Sequence, residues 1–172
     1  MNHYIIISPW SRKLPNIRSN ESGFGYSNYK NNPKNYPWWP EVINLLKQKV
    51  NIVQVGVDGE EKLNADIFEF NKPTLDLVKL ISDSIIWMSV DNFFPHMCNA
   101  ENCKPGIVLW GRSDPNIFGY DQNINLLKDR KYLRPNQFNK WEEVKYSEEC
   151  FVSPETIVKS IPATIQVDNF QI

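Results

Sequence analysis

The sequence predicts an α/β fold: a single Rossmann-like domain in which helices cover a parallel sheet. Short apolar and β-branched runs alternate with segments of helical periodicity along the chain. Polar stretches follow several of these runs, where the loops at the carboxyl ends of parallel strands are expected. A length of 172 residues is enough to bury a core and too short for two ordinary domains. We therefore assign residues 1–172 to one domain.

Six short runs predict the strands of the sheet. The first five alternate with helical segments in the order β-α-β-β-α-β-α-β, which is typical of a Rossmann-like half. The sixth is a candidate strand within an otherwise irregular segment, residues 116–149. The predicted strands are residues 4–7, 51–55, 67–70, 84–89, 105–110 and 124–127.

Four segments predict helices. Pro37 and Pro40 favour a helix start before a run whose apolar residues recur at helical spacing. Leu75 belongs to the apolar set that we expect on the inner face of the second helix. Ser153 followed by Pro154 is typical of an N-cap and a first helical turn. The predicted helices are residues 38–49, 74–81, 93–101 and 154–161.

Composition excludes several classes of protein. A net charge of −1, without a basic run, argues against nucleic-acid binding. No apolar segment approaches the roughly 20 residues that a membrane span needs. Three cysteines and no signal-peptide pattern favour a cytoplasmic protein. Asparagine makes up about a ninth of the chain, which is typical of an AT-rich genome such as a virus or phage, whose protein would act in the host cytoplasm.

A long stretch without periodicity, residues 8–36, leaves the end of the first predicted strand. Loops of this length in compact domains are usually functional or disordered. Ligands of open α/β sheets bind at the ends of such strands. We therefore interpret the loop as functional, with an unstructured insertion as the alternative.

Four polar stretches should meet at the carboxyl edge of the sheet and form a nucleotide cleft. The N–H groups at the start of the helix at residue 93 would favour phosphate, and Arg12, Lys13, Lys34 or Arg112 would neutralise it. Acids of the second stretch would take ribose hydroxyls. The stretches are residues 8–13, 56–61, 91–92 and 111–114.

Each of these polar residues also has a structural interpretation. An isolated pair such as Asp91-Asn92 is more typical of a helix cap, and His96 is also typical of a packed histidine. Arg112 next to Asp114 is typical of a surface ion pair. His96, Cys98 and Cys103 suggest zinc, but their spacing fits no common ligand pattern and a fourth ligand is missing. We predict neither a metal nor a cofactor.

Motifs spread over nearly the whole chain resemble one enzyme family. Residues 89–115 are similar to the pattern VDTG-x-x-H-x-A-A-x-x-x-x-P, then a strand and G-P-T-x-P. Residues 34–39 resemble K-x-W-P, residues 54–63 a G-x-x-x-E loop, and residues 150–161 a closing Cys-Ile-x-x-Val helix. This set resembles glycosyltransferase family 9, the ADP-heptose:lipopolysaccharide heptosyltransferases. The residues in register in the first motif are Asp91, His96, Ala100, Pro105, Gly111, Asp114 and Pro115.

The resemblance implies the donor-binding, C-terminal domain of a GT-B glycosyltransferase, which holds a nucleotide diphosphate sugar. Asp91 would then hold sugar hydroxyls, the adjoining helix end the diphosphate, and Lys34 would offset phosphate charge. Ser8 and Ser11 would lie near the phosphates, and Glu61 near the nucleoside.

The sequence departs from the family at two turns. Asn92-Phe93 replaces Thr-Gly, which removes the glycine that allows close backbone approach, and Arg112-Ser113 replaces Pro-Thr. The family's acceptor domain and general base would have to come from a partner chain, a second copy or residues 8–36. Two functions stay open: transfer of a sugar from a nucleotide diphosphate donor, or binding of such a nucleotide without turnover.

Overall fold

A computed structural model describes residues 4–11, 32–138 and 144–163 of the chain. The six predicted strands are all present in it. They are β1 (Tyr4–Ser8), β2 (Asn51–Gly56), β3 (Ile67–Phe70), β4 (Ile86–Val90), β5 (Ile107–Trp110) and β6 (Ile124–Leu127). The helices are α1 (Trp39–Lys47), α2 (Thr74–Asp83), α3 (Phe93–Ala100), α4 (Pro115–Phe118) and α5 (Pro154–Lys159). Most of loop 8–36 and part of segment 116–149 lie outside the described residues.

The strands form one parallel sheet in the order β3-β2-β1-β4-β5-β6. This confirms the predicted α/β, Rossmann-like fold. The chain leaves β1 toward β2 on one side and reaches β4 on the other, so the topology reverses between β1 and β4. A crevice opens outside the carboxyl ends of strands at such a point, and it is the usual ligand position in open α/β sheets. Ser8 and Ser89 are paired in register there.

Apolar side chains cover both faces of the sheet, as a parallel sheet requires. On one face, Ile5 and Ile7 pack with Trp39 of α1 and Ile157 of α5. On the other face, Ile6 packs with residues of α2 and α3. The sheet is therefore the middle of three layers.

Helix α2 differs from the prediction at Leu75, which is 77% exposed. The expectation that Leu75 faces the core is wrong. The helix packs through Leu77, Leu80 and Ile81, and Leu75 precedes Leu77 by two residues, about 200° around the helix. Its side chain therefore points away from the sheet.

Strand β4 begins two residues later than predicted because Ser84 ends helix α2. The Ser84 N–H donates to Leu80 O and Ile81 O at 3.1 and 3.2 Å, and its hydroxyl donates to Ile81 O. These bonds complete the helix, so the chain can extend only after them.

In the described part of the chain, no helix is long and apolar enough to cross a membrane.

Candidate functional site

Asn92 joins the ends of β1 and β4 at the topological reversal. Its Oδ1 accepts the Phe94 N–H at 2.8 Å, which caps helix α3. Its Nδ2 donates to Ser8 O at 3.2 Å, Ser8 Oγ at 3.0 Å and Trp10 O at 3.0 Å. The capping interpretation is therefore confirmed for Asn92, and its side chain serves the architecture of the crevice.

Asp91 does not cap the helix and instead lies at the centre of a polar cluster. The residue is 5% exposed. Lys34 Nζ is 2.7 Å from Asp91 Oδ2, and the Ser113 hydroxyl donates to the same oxygen. We call Lys34, Asp91 and Ser113 the Asp91 cluster. It brings together three sequence-predicted residues from three separate connections of the sheet.

The second carboxylate oxygen of Asp91 is differently placed. Within residues 4–11, 32–138 and 144–163, no hydrogen bond reaches Asp91 Oδ1. An ionised carboxylate is an acceptor only, and each oxygen has two lone pairs. A hydroxyl group of a ligand can therefore donate to Oδ1 while Oδ2 keeps its bonds to Lys34 and Ser113.

Two asparagines fix the segment that carries Lys34. Asn35 Oδ1 accepts the Ser11 N–H at 2.7 Å, and Asn32 Nδ2 donates to Ser11 O at 2.7 Å. The Lys34 N–H in turn donates to Asn32 Oδ1 at 3.0 Å. The main chain of Ser11 thus holds the turn that places Lys34 against Asp91. Arg12 and Lys13, two further cations predicted for the cleft, lie outside the described residues.

Asp114, at the end of the neighbouring strand β5, has a closed set of partners. Arg130 donates to both its oxygens, at 3.1 and 2.6 Å, and the Asn116 N–H donates to Oδ1 at 3.0 Å. The hydrogen bond from Arg130 holds the pKa of the Asp114 carboxyl below its usual value. Arg112 donates to carbonyl oxygens, those of Tyr132 and Lys145. The predicted Arg112–Asp114 ion pair is therefore wrong.

Arg134 and Gln137 support the same edge, and sequence reasoning missed both. Gln137 Oε1 accepts the Asp114 N–H at 3.0 Å, and its Nε2 donates to Arg134 O at 2.7 Å. The buried Arg134 donates its N–H to Arg112 O and its guanidinium to Gln137 O. Burial lowers the pKa of Arg134, and the nearby Asp91 carboxylate opposes this. Both residues lie in an irregular segment that carries no periodic signal.

Glu61 and Gly111 lie near this edge for structural reasons. The Glu61 side chain is exposed, while its carbonyl accepts from Trp10 Nε1 and Gln54 Nε2, each at 2.8 Å. A Cβ at Gly111 would lie 2.7 Å from Phe151 Cζ. Position 111 therefore needs glycine for packing against Phe151.

His96 lies apart from the Asp91 cluster. Its Nδ1 is 2.9 Å from the Tyr120 hydroxyl, and the two half-buried rings pack edge to face. This contact joins α3 to the α4–β6 connection. The packed-histidine interpretation accounts for it without a ligand.

The N-terminus of α3 offers less to a phosphate than expected. The Phe94 N–H is already bonded to Asn92, and Pro95 has no N–H. The first turn is left with the N–H of Phe93, whose side chain is 68% exposed. The cations of this edge, and not the helix end, are the better partners for an anion.

The described residues contain no group of three His, Cys, Asp or Glu side chains that could hold a metal ion.

Comparisons of the chain with protein-family models, with curated proteins and with solved structures found no match. The geometry of the Asp91 cluster therefore carries the functional argument.

Proposed function

We propose that this chain binds a nucleotide diphosphate sugar at the carboxyl ends of β1, β4 and β5, as the donor site of a glycosyltransferase. The observation that carries the proposal is the asymmetry of Asp91: one oxygen is held by Lys34 and Ser113, and the other accepts no hydrogen bond from the described residues. A carboxylate held in this way is suited to a sugar hydroxyl. Its position beside the topological reversal is the usual ligand position of such sheets.

Lys34 supplies the charge that the diphosphate needs. An ammonium group has three N–H donors in several directions, so it can contact Asp91 and a phosphate oxygen together. In glycosyl transfer the leaving diphosphate gains negative charge, and a fixed cation lowers the energy of that state. Asp91 would hold the sugar while Lys34 stabilises the leaving group. The chemistry would thus depend on positioning and charge.

A second candidate is binding without turnover, and the ion pairs favour it. Asp91 pairs with Lys34, and Asp114 pairs with Arg130 through both oxygens. A carboxylate paired with a cation is a weak general base, because the cation stabilises its ionised form. The acceptor surface and base of a transferase would come from a partner chain, a second copy or residues 8–36. Without them the chain would sequester or sense the nucleotide sugar.

Thermal unfolding with a panel of nucleotide diphosphate sugars tests the binding. At a ligand concentration about 100 times Kd, stabilisation is about 2.7 kcal/mol, which for a chain of this size raises Tm by roughly 5–10 °C. Asp91→Asn should remove the difference between a nucleotide diphosphate sugar and the free nucleotide diphosphate. Asp114→Asn, the same change one strand away, is the matched control and should keep that difference.

Two results would contradict the binding proposal. One is that no member of the panel stabilises the protein, and the other is that both variants lose the difference between sugar-bearing and free nucleotide diphosphate equally. Release of free nucleotide diphosphate, with and without candidate acceptors, then separates the two functions. Release that disappears in Lys34→Ala supports transfer. Tight binding without release under every condition supports the binding module.

A further inference from the structure

The C-terminus of helix α3 places two cysteines side by side. Cys103 N–H donates to Cys98 O at 2.8 Å, and Asn102 N–H donates to Asn99 O at 3.2 Å. Asn102 has a positive φ of 51°. Together these features form a Schellman motif, in which the residues at the positions of Cys98 and Cys103 characteristically contact each other.

The same hydrogen bond sets the distance between the two residues. The path from one Cα to the other runs through the Cα–N bond of Cys103, the 2.8 Å N···O contact, and the C=O and C–Cα bonds of Cys98. These lengths add up to about 7 Å, which is the upper limit of the Cα–Cα distance. Beyond about 7 Å two cysteines cannot be bridged without movement of the backbone. The two thiols also lie close enough for each to shift the pKa of the other.

Exposure distinguishes the two thiols. Cys98 is 2% exposed and packs in the core beneath α3, whereas Cys103 is half-buried and free of a disulfide. Burial raises the pKa of both thiols, and at Cys103 the hydrogen bond with Cys98 partly offsets this. Cys103 is therefore the thiol that a reagent in solution reaches first.

We propose that Cys98 and Cys103 form a redox-modifiable pair that a small-molecule disulfide converts into an intrachain disulfide. The Cys103 thiolate attacks one sulfur of the small disulfide, which breaks the S–S bond, forms a mixed disulfide and releases one small thiolate. The Cys98 thiol then loses its proton, and its sulfur attacks Cys103 Sγ and releases the second small thiolate. The protein loses two hydrogens and two electrons, and the small disulfide is reduced to two thiols.

Cys150 provides an internal control. It is fully buried, its thiol donates to Ser147 O at 2.9 Å, and it packs beside Gly111. Burial raises the pKa of Cys150 to about 11. Cys150 belongs to the core on one face of the sheet, whereas Cys98 and Cys103 belong to the core on the other face, so Cys150 should stay reduced in the folded protein.

The test exposes the folded chain to oxidised glutathione, then unfolds it in acid and alkylates the remaining thiols. Cleavage after Glu101 separates the two cysteines, so a disulfide between them keeps two peptides joined in a non-reducing mass spectrum. We expect the joined peptides and one alkyl group, on Cys150, in place of three. In Cys98→Ser the glutathione should remain on Cys103, and in Cys103→Ser the joined peptides should disappear.

The wild-type result stands without the variants if either of them fails to fold. Three alkylated cysteines after oxidation would overturn the proposal. So would a glutathione that remains on Cys103 of the wild-type chain, or a link to Cys150. The inference is independent of the proposed nucleotide-sugar site, because the test contains no nucleotide.

Discussion

Two buried aspartates, Asp91 and Asp114, follow neighbouring strands and each pairs with a cation, yet their surroundings differ. The partners of Asp114 are Asn116 in the same connection and Arg130 beyond β6, and together they bond to both oxygens. The partners of Asp91 come from two other connections and share a single oxygen. An ion pair in which both carboxylate oxygens are bonded holds a loop in place. A carboxylate whose partners come from separate connections and bond to one oxygen only is typical of a ligand site.

The largest expected effect on stability is that of Asn92→Ala, which removes the side chain that joins the end of β1 to helix α3 beside Asp91. The change deletes the α3 cap, worth about 1 kcal/mol, and leaves the buried carbonyls of Ser8 and Trp10 without their donor, about 1–3 kcal/mol. Urea unfolding should show a loss of about 2–4 kcal/mol in the free energy of unfolding. Asn92→Ser keeps a cap acceptor and should recover the first part only. A loss under about 0.5 kcal/mol in Asn92→Ala would show that β1 is held to α3 by other contacts.

Asp114→Asn should have an intermediate effect, a loss of about 1 kcal/mol at neutral pH, because it removes one bidentate ion pair with an exposed arginine. The folded-state pKa of Asp114 lies below its ordinary value, so the ionised carboxylate stabilises the folded state. This contribution is complete above the unfolded pKa of about 4 and decreases as the pH falls through the folded pKa. Unfolding of both proteins between pH 7 and pH 2 measures it. A difference that is constant down to pH 2 would mean that the charge of Asp114 is not the cause.

Asp91→Asn should have the smallest effect on stability, about 0.5 kcal/mol. An asparagine can still accept the Ser113 hydroxyl, and the side chain of Lys34 is 23% exposed, so its ammonium group can turn to water. Removal of a buried charge also removes its desolvation cost. Urea unfolding beside Asp114→Asn measures the difference directly. A larger loss for Asp91→Asn than for Asp114→Asn would make the Asp91 cluster a structural pair and would break the comparison.

Local patterns account for much of what was predicted correctly. Strands 67–70 and 124–127 have the predicted bounds, and Ser153 caps its helix as expected, because each signal lies within a few residues. Leu75 shows where local reasoning fails. Several apolar residues of α2 could have formed an inner face, and the position of the sheet selected Leu77, Leu80 and Ile81.

In the candidate site, too, the sequence predicted the position of residues but not their contacts. The motif resemblance singled out Asp91 and Lys34, and the prediction of a parallel sheet placed them at its carboxyl edge. Neither could predict that Lys34 and Ser113 share one oxygen of Asp91, nor that Arg130 donates to both oxygens of Asp114.

Strand positions, helix starts and the polar edge follow from the sequence, since hydrophobic periodicity and capping act between near neighbours. The roles of Asp91, Asn92 and Asp114 were decided by tertiary structure. Apart from the local caps, their side-chain partners lie between 16 and 84 residues away along the chain. Only the folded sheet brings such distant groups within hydrogen-bonding distance.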